Sequence, residues 1–469
     1  MNRRRFLGIT AAGLAGTVFP LLRCENVRSR KSNIVFIMAD DLGYADLGCY
    51  GQEKIRTPYL DRMAAEGMKF TDHYAGSTVC APSRCTLITG LHTGHAVVRG
   101  NYEVQPEGQY PLPPESITVA EVLKRAGYTT GAIGKWGLGG PGSSGEPNQQ
   151  GFDYWFGHLC QREAHFYYNE HLWRNGEKVV LKGNDPQRYT GQYVHDLFTK
   201  EAIQFIRRNQ RDPFFLYLPY TIPHAELAVP EDSLAEYRGK FPETPFPGGH
   251  YGAQPAPHAA YAAMITRMDR DIGRIFRTLQ DLDIDEDTLV IFTSDNGPST
   301  AGGIDPVFFD SNGPLRGGKR DLYEGGIRVP LIARWPGRIK PGTVSKHPSA
   351  FWDFLPTAAE IAGVEPPDDI DGISYLPALL GKPQPAHEYF YWEFPAQGGK
   401  QAVRTGRWKG LRLHTRTEPD GAIELYDLMT DIGEKTNVAA EQPEVVRKVE
   451  GFMQEAHRDS DVFPLFGKA

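Results

Sequence analysis

Residues 33–41 read Asn-Ile-Val-Phe-Ile-Met-Ala-Asp-Asp (NIVFIMADD), an unbroken apolar run closed by two aspartates. A short run with no polar alternation predicts a strand buried on both faces, as in a parallel sheet covered by helices. The same signal returns downstream in YTTGAIGKW (128–136), PFFLYLPYTIPH (213–224), TLVIFTSDNG (288–297) and VPLIARWPG (329–337). Between these runs the period changes. SITVAEVLKRAG (116–127) places Val119, Val122, Leu123 and Ala126 on one helical face and ends on Gly127, suited to a helix C-terminus. Met264, Met268, Ile272, Ile275 and Leu279 also recur at helical spacing. Strands separated by helices predict an α/β fold with a large, mainly parallel or mixed central sheet sandwiched by helices.

This α/β body is expected over residues 32–363. After Val364 the pattern becomes that of a smaller α+β part over 364–469. There RWKGLRLH (407–414) and ELYDLMTD (424–431) read as strands of an antiparallel sheet, and PEVVRKVEGFMQEAH (443–457) as a closing helix. Two stretches, 139–151 and 240–258, are too rich in Gly and Pro for regular structure and are read as functional loops.

Over 469 residues, 58 acidic side chains exceed 51 basic ones, for a net charge of −7. No basic block or aromatic RNA-binding signature is present, which argues against nucleic acid as a partner. Residues 1–31 are read as an export signal and linker. Arg3, Arg4 and Arg5 precede an apolar run to Leu22 that is too short to span a bilayer, in the manner of a twin-arginine signal for the periplasm. No transmembrane span is expected in the mature chain. Cys24 ends the run and is a candidate lipoprotein anchor, although Arg23 before it departs from the small residue that such processing prefers. The five cysteines (24, 49, 80, 85 and 160) allow one disulfide at most once Cys24 and Cys80 are set aside.

Asp40 and Asp41 follow one predicted strand directly, and Asp295 and Asn296 follow another. Ligands of open α/β sheets bind beyond the carboxyl ends of strands. Either pair alone could simply start a turn; both together offer four oxygen side chains, a set suited to a hard cation such as Ca²⁺ or Mg²⁺. In CAPSRCTLITG (80–90), Pro82 can open a helix, so Cys80 would sit at its N-terminus, where an anion is favoured. Arg84 lies one turn further on, able to grip an anionic oxygen pair.

Taken together, NIVFIMADDLG (33–43), CAPSRCTLITG (80–90), GKWGLG (134–139), IFTSDNG (291–297) and GGKRDLYEGGIRVP (317–330) resemble, in order, the formylglycine-dependent sulfatases of the alkaline phosphatase superfamily. The resemblance implies that a separate maturation enzyme oxidises Cys80 to formylglycine (3-oxoalanine), whose hydrate is the nucleophile. One hydroxyl attacks the sulfate ester, and the second, on the same carbon, lets sulfate be expelled. It further implies that Asp40, Asp41, Asp295, Asn296 and the modified Cys80 hold Ca²⁺. Arg84, Lys135 and Lys319 would act in the sulfate site, and His224 would protonate the leaving alcohol.

Two positions depart from the family. Where it has histidine two residues after the lysine of GKWGLG, this chain has Gly137, and where many relatives have serine it has Gln161. The aromatic-rich stretch 153–178, with His165 and His171, and the stretch 92–101, with His95, Arg99 and Asn101, suit a sugar. Gln161, His165, His171 and Arg99 are therefore candidate substrate-binding residues. His165, in preference to His171, is expected to supply the hydrogen bond missing at Gly137. The implied substrate is a sulfated glycan. The alternatives are a phosphatase or phosphonate monoester hydrolase of the same superfamily, and a glycan-binding protein whose Cys80 is never converted.

Overall fold

The computed structural model describes residues 31–467. The stretch read as an export signal, with Cys24, lies outside the described residues. Asn33–Ala39 is a strand, buried along its whole length, and the reason is visible on its two sides. Val35, Ile37 and Ala39 pack into a core with the helices Pro58–Glu66, Val194–Asn209 and Pro257–Asp281. Ile34, Phe36 and Met38 pack into a second core with Cys80–Thr89, Val119–Arg125 and Phe354–Ala362. Phe36 lies with its ring centroid 4.4 Å from that of Phe354. Helices cover both faces, so neither set of alternate side chains can be polar.

The sheet has ten strands. In spatial order these are Thr343–Ser345, Met68–Phe70, Leu331–Arg334, Thr288–Ser294, Asn33–Ala39, Phe214–Pro219, Thr129–Lys135, Tyr154–His158, His171–Arg174 and Glu177–Val180. The five from Thr288–Ser294 to Tyr154–His158 are mutually parallel. Leu331–Arg334 runs antiparallel to its neighbour, and an antiparallel hairpin forms the other edge, which makes the sheet mixed. Register brings the two acidic pairs together. Ala39 lies opposite Ser294, so Asp40–Asp41 and Asp295–Asn296 leave the sheet side by side.

A separate antiparallel sheet comprises Phe390–Phe394, Lys400–Thr405, Trp408–Leu413 and Ile423–Asp427. The helix Pro443–Ala456 covers one of its faces with Val449, Met453 and Ala456. On the other face Trp392 packs against Trp352 and Tyr74 and donates its indole N–H to the Ala75 carbonyl at 2.9 Å. Lys409 of this sheet is buried and meets Glu324 at 2.8 Å, just beyond the loop that carries Lys319. Cys49, Cys80, Cys85 and Cys160 are all unpaired. Among the described residues no helix is long and apolar enough to cross a membrane.

Candidate active site

Asp41 takes a left-handed backbone conformation (φ +65°) as the chain leaves its strand, a costly one for a residue other than glycine. The neighbouring strand end holds it there. The Asp41 N–H donates to Asp295 Oδ1 at 3.1 Å, the Leu42 N–H to Ser294 Oγ at 2.9 Å, and Asn296 Nδ2 to Asp41 Oδ1 at 2.8 Å. Asp40, Asp41, Asp295 and Asn296 are all buried.

Cys80 is the first residue of the helix Cys80–Thr89, with Pro82 in its first turn, where a missing N–H costs nothing. Two neighbours on this helix tie it to the sheet. Ser83 Oγ donates to the Asp295 carbonyl at 2.5 Å, and Arg84, itself fully buried, reaches Asp295 Oδ2 at 2.7 Å and the Lys135 carbonyl at 2.6 Å. The helix start therefore cannot drift from the carboxylates. Cys80 Sγ lies 3.4 Å from Asp40 Oδ1.

Lys135, the last residue of its strand, donates to Asp40 Oδ2 at 2.5 Å. Lys319 sits 2.7 Å from Asp41 Oδ1, 3.6 Å from Cys80 Sγ and 3.1 Å from His224 Nε2. His224 Nδ1 is held by the Ala225 carbonyl, which places the ring N–H there and leaves Nε2 as the free acceptor facing Lys319. Burial pulls His224 down to about 4, with Asp41 opposing, so the ring is neutral. Burial, helped by Asp40, pushes the Cys80 thiol up to about 12, so an unmodified cysteine here keeps its proton. Burial would raise Asp40, but Lys135, His224, Arg84 and Lys319 hold it well below the usual carboxylate range. Asp295 is raised, by burial and by Asp40 beside it, despite its pairing with Arg84. The two share one negative environment, and Lys135, bonded to Asp40 at 2.5 Å, favours the charge there.

The carboxylates of Asp40 and Asp41 and the amide oxygen of Asn296 are oxygen donors of the kind a hard cation takes. One ligand atom each from Asp40, Asp41, Cys80 and His224 lies within 4.8 Å of the others. Asn296 Oδ1 is buried without a partner, while its Nδ2 is used by Asp41 and the Gly297 carbonyl. Flipping this amide would set two oxygens against each other, so its orphaned atom is an acceptor, and it needs a cation or a donor. A second group, His92, His95 and Asp371, is of another kind. His92 Nδ1 accepts the Gly94 N–H at 3.2 Å, so Nε2 carries the proton and faces Asp371 as a donor. With His95 Nδ1 bonded to the same carboxylate at 2.8 Å, this is a clamp.

A cavity of about 790 Å³ opens onto Lys319 and His224. Its walls include His165, Tyr251, Asn101, Arg320 and Asp310. The His165 ring stacks on His224 with centroids 4.0 Å apart. Asn101 lines the cavity while its Oδ1 accepts the Ala81 N–H at 3.0 Å, so it also steadies the start of the helix.

The family model described as Sulfatase matches residues 32–364, and that of the N-sulphoglucosamine sulphohydrolase C-terminal region matches 317–459. The chain belongs to the sulfatase family. It is 35% identical over 427 residues to the N-acetylgalactosamine-6-sulfatase of Canis lupus familiaris, covering 87% of this chain and 74% of that protein. Human arylsulfatase A is 35% identical over 476 residues (89% and 86%). The N-acetylgalactosamine-6-O-sulfatase of Bacteroides thetaiotaomicron is 32% identical over 502 residues (91% and 93%). Among solved structures, Ps i-CgsB in complex with k-i-k-neocarrahexaose superposes with a TM-score of 0.78 at 28% identity, covering 91% of this chain and 92% of that one.

Within this sulfatase, Asp40, Asp41, Cys80, Arg84, Lys135, His224, Lys319, Asp295 and Asn296 converge at one end of the parallel strands, and His165 reaches the cavity beside them. Two candidate substrate residues are engaged elsewhere. Arg99 is 4% exposed and spends its guanidinium on Glu393 (2.8 Å) and the Ala96 and Arg458 carbonyls, fastening the main body to the C-terminal sheet. His171 Nε2 pairs with Glu107 at 2.8 Å and lies outside the cavity lining. Sequence reasoning missed Tyr251, Arg320 and Asp310. Tyr251 belongs to the Gly/Pro-rich loop 240–258, whose composition was the available signal; Arg320 follows Lys319 inside the quoted segment 317–330, and Asp310 had no signature of its own.

Proposed function

We propose that this sulfatase hydrolyses a sulfate ester on a carbohydrate, with formylglycine at position 80 and one Ca²⁺ held by Asp40, Asp41, Asp295, Asn296 and the modified residue. The observation that carries the reading is the closed set around Cys80: four oxygen side chains from two adjacent strand ends, one of them orphaned, with Arg84, Lys135 and Lys319 converging on it. Formylglycine, once hydrated, supplies a nucleophilic hydroxyl and a second hydroxyl that allows sulfate to leave. Ca²⁺ supplies charge that lowers the pKa of the attacking hydroxyl and polarises the sulfate.

The protein's own groups do the rest. Arg84 locks Asp295 and the end of the Lys135 strand, which fixes the geometry before substrate arrives. Lys135 and Lys319 bind the sulfate oxygens. His224, pinned through Nδ1, turns Nε2 towards the cavity beside Lys319 Nζ. This nitrogen is bare in the neutral ring, so it must first take up a proton before passing it to the departing ester oxygen. Water adds across the S–O bond overall, giving the free sugar hydroxyl and sulfate. The cavity walls, with Tyr251 and His165 as ring surfaces and Asn101, Asp310 and Arg320 as polar tips, suit a sugar. The relatives named for N-acetylgalactosamine-6-sulfate esters, and the similar structure holding neocarrahexaose, support the same substrate class. Residues 1–31 are read as the export signal that delivers the enzyme to the periplasm.

The test is a desulfation screen across sulfated mono- and oligosaccharides, with phosphate and phosphonate esters as controls, using protein co-expressed with a formylglycine-generating enzyme. Mass spectrometry of the Cys80 peptide should find the aldehyde or its hydrate, and Cys80→Ala should abolish turnover with the fold intact. Active protein carrying only the unmodified thiol would sink the mechanism, and faster phosphate or phosphonate cleavage would sink the assignment.

A further inference from the structure

Gly137 stands two residues beyond Lys135 with φ +82°, a left-handed conformation that favours glycine. The reason for the glycine is not only its backbone. A Cβ at this position would lie 1.8 Å from Gln161 Nε2 and 2.8 Å from its Cδ. The Gln161 amide thus occupies the space that any side chain at 137 would need. The pairing of the two strands carries it there: Lys135 lies opposite His158, and the N–H groups of Trp136 and Gly137 continue to the carbonyls of His158 (2.9 Å) and Leu159 (3.2 Å).

Gln161 is 3% exposed, and both Nε2 and Oε1 are buried with no hydrogen-bond partner. Buried amides are almost always paired, so two orphaned atoms on one side chain call for a missing partner. The same short segment offers a second such group. His165, one turn later in the chain, has Nδ1 buried and unpartnered and stacks on His224 in the cavity wall. Lys135, two residues before Gly137, points its ammonium at Asp40. The unpaired amide therefore lies beside Gly137, two residues beyond Lys135, on a segment that reaches the cavity wall at His165.

We propose that Gly137 and Gln161 work as one unit, in which the glycine opens the space beside Lys135 and the Gln161 amide fills it and donates its N–H to a sulfate oxygen. This rests on the sulfatase reading above. It names the group that stands where the family's imidazole is absent: a neutral donor from the segment just beyond the next strand, with His165 left to back His224.

Three variants test it, each measured for inorganic sulfate binding by calorimetry, for kcat/KM on the best sulfate ester, and for Tm. Gln161→Glu keeps the shape and replaces the donor with a carboxylate. Gln161→Met keeps the length and removes both orphaned atoms. Gly137→Ala displaces the amide. Removing one preorganised donor from an active site costs on the order of 10²-fold in rate, so each variant should lose about that much in kcat/KM and bind sulfate at least about tenfold more weakly. Gln161→Met should keep its Tm, because it removes unpaired polar atoms from a buried site. The Gly137→Ala/Gln161→Met double variant should be no worse than either single one, since both remove the same contact. Sulfate binding within about threefold of wild type for Gln161→Glu and Gln161→Met would overturn the proposal. So would a lower Tm with unchanged sulfate binding, the mark of an amide that only packs, and so would additive losses in the double variant. Because sulfate binding needs no turnover, a wild type that binds sulfate yet cleaves no sulfate ester overturns the reaction assignment while the variants still decide the role of Gln161. No sulfate binding by wild type overturns both.

Discussion

Replacing Lys409 with methionine should destabilise this sulfatase by about 3 kcal/mol, and the deficit should widen as pH rises. Lys409 Nζ is fully buried, 2.8 Å from Glu324 Oε1 and 3.7 Å from Glu434 Oε1, and both carboxylates are buried as well. Removing one partner of a buried pair typically costs ~3–5 kcal/mol, because the survivor keeps its desolvation penalty. The low end applies here: Glu324 retains Arg328 at 3.0 Å and the Tyr74 hydroxyl at 2.6 Å. Glu434 retains less. Burial raises it to about 7 even with Lys409 opposing, and without the lysine it rises further.

The sign comes from proton binding. Above about pH 7 the wild-type native state releases the Glu434 proton, as the unfolded chain has already done near an ordinary glutamate pKa of ~4.3. The variant's native state still holds it. Its stability therefore falls with pH by up to ~1.4 kcal/mol per unit while the wild type stays flat. Urea unfolding followed by tryptophan fluorescence is the assay, since Trp392 lies 5.9 Å from Lys409 Nζ. A deficit under about 1 kcal/mol, ordinary for a neutral surface change, would refute the argument. So would a deficit that narrows between about pH 6.5 and about pH 8.5, against the linkage sign.

Two further outcomes are expected. Chelation should abolish turnover and Ca²⁺ restore it, yet Tm should change little, because Arg84, Lys135 and Lys319 already balance Asp40, Asp41 and Asp295; metal analysis with thermal denaturation checks this, and unfolding on chelation would contradict it. His387 donates to Asp353 at 2.7 Å, and although burial opposes its charge, Asp353 prevails and raises its pKa. The stability it contributes is full below an unfolded histidine pKa of ~6.5 and is lost as pH rises through the folded value. His387→Gln should flatten that part of the stability–pH curve, and an unchanged curve would remove His387 as its source.

Much of this architecture could be read from residue order alone. An apolar run such as Ile34–Ala39 has nowhere to go but between two helical layers, so strand identity and the α/β class come from local pattern. The aspartates closing that run, and Asp295–Asn296 closing another, were legible for the same reason: a strand's carboxyl end is a fixed point in the chain. The C-terminal antiparallel sheet showed two of its four strands. Phe390–Phe394 and Lys400–Thr405 escaped because their buried residues include Glu393, Gln401 and Arg404, polar groups satisfied by Arg99, Tyr391 and Tyr74. The candidate nucleophile Cys80 and its neighbour Arg84 were also legible in one short segment, since they share one helix turn.

What the sequence could not contain was which distant segments share a space. Arg99 and His171 read as substrate groups by residue type, but their side chains are engaged by Glu393 and Glu107, partners 294 and 64 positions away. Tyr251 and Arg320 lie in stretches that the sequence marks out, yet nothing local shows that both meet in the cavity wall. Gly137 read as a vacancy. Only the pairing of two neighbouring strands shows that Gln161 fills it, because a side chain's reach is set by the backbone it hangs from, and that backbone is positioned by register. Local pattern determines which element a residue joins and which chemistry it carries. Contact between elements far apart in sequence determines which of those chemistries meet.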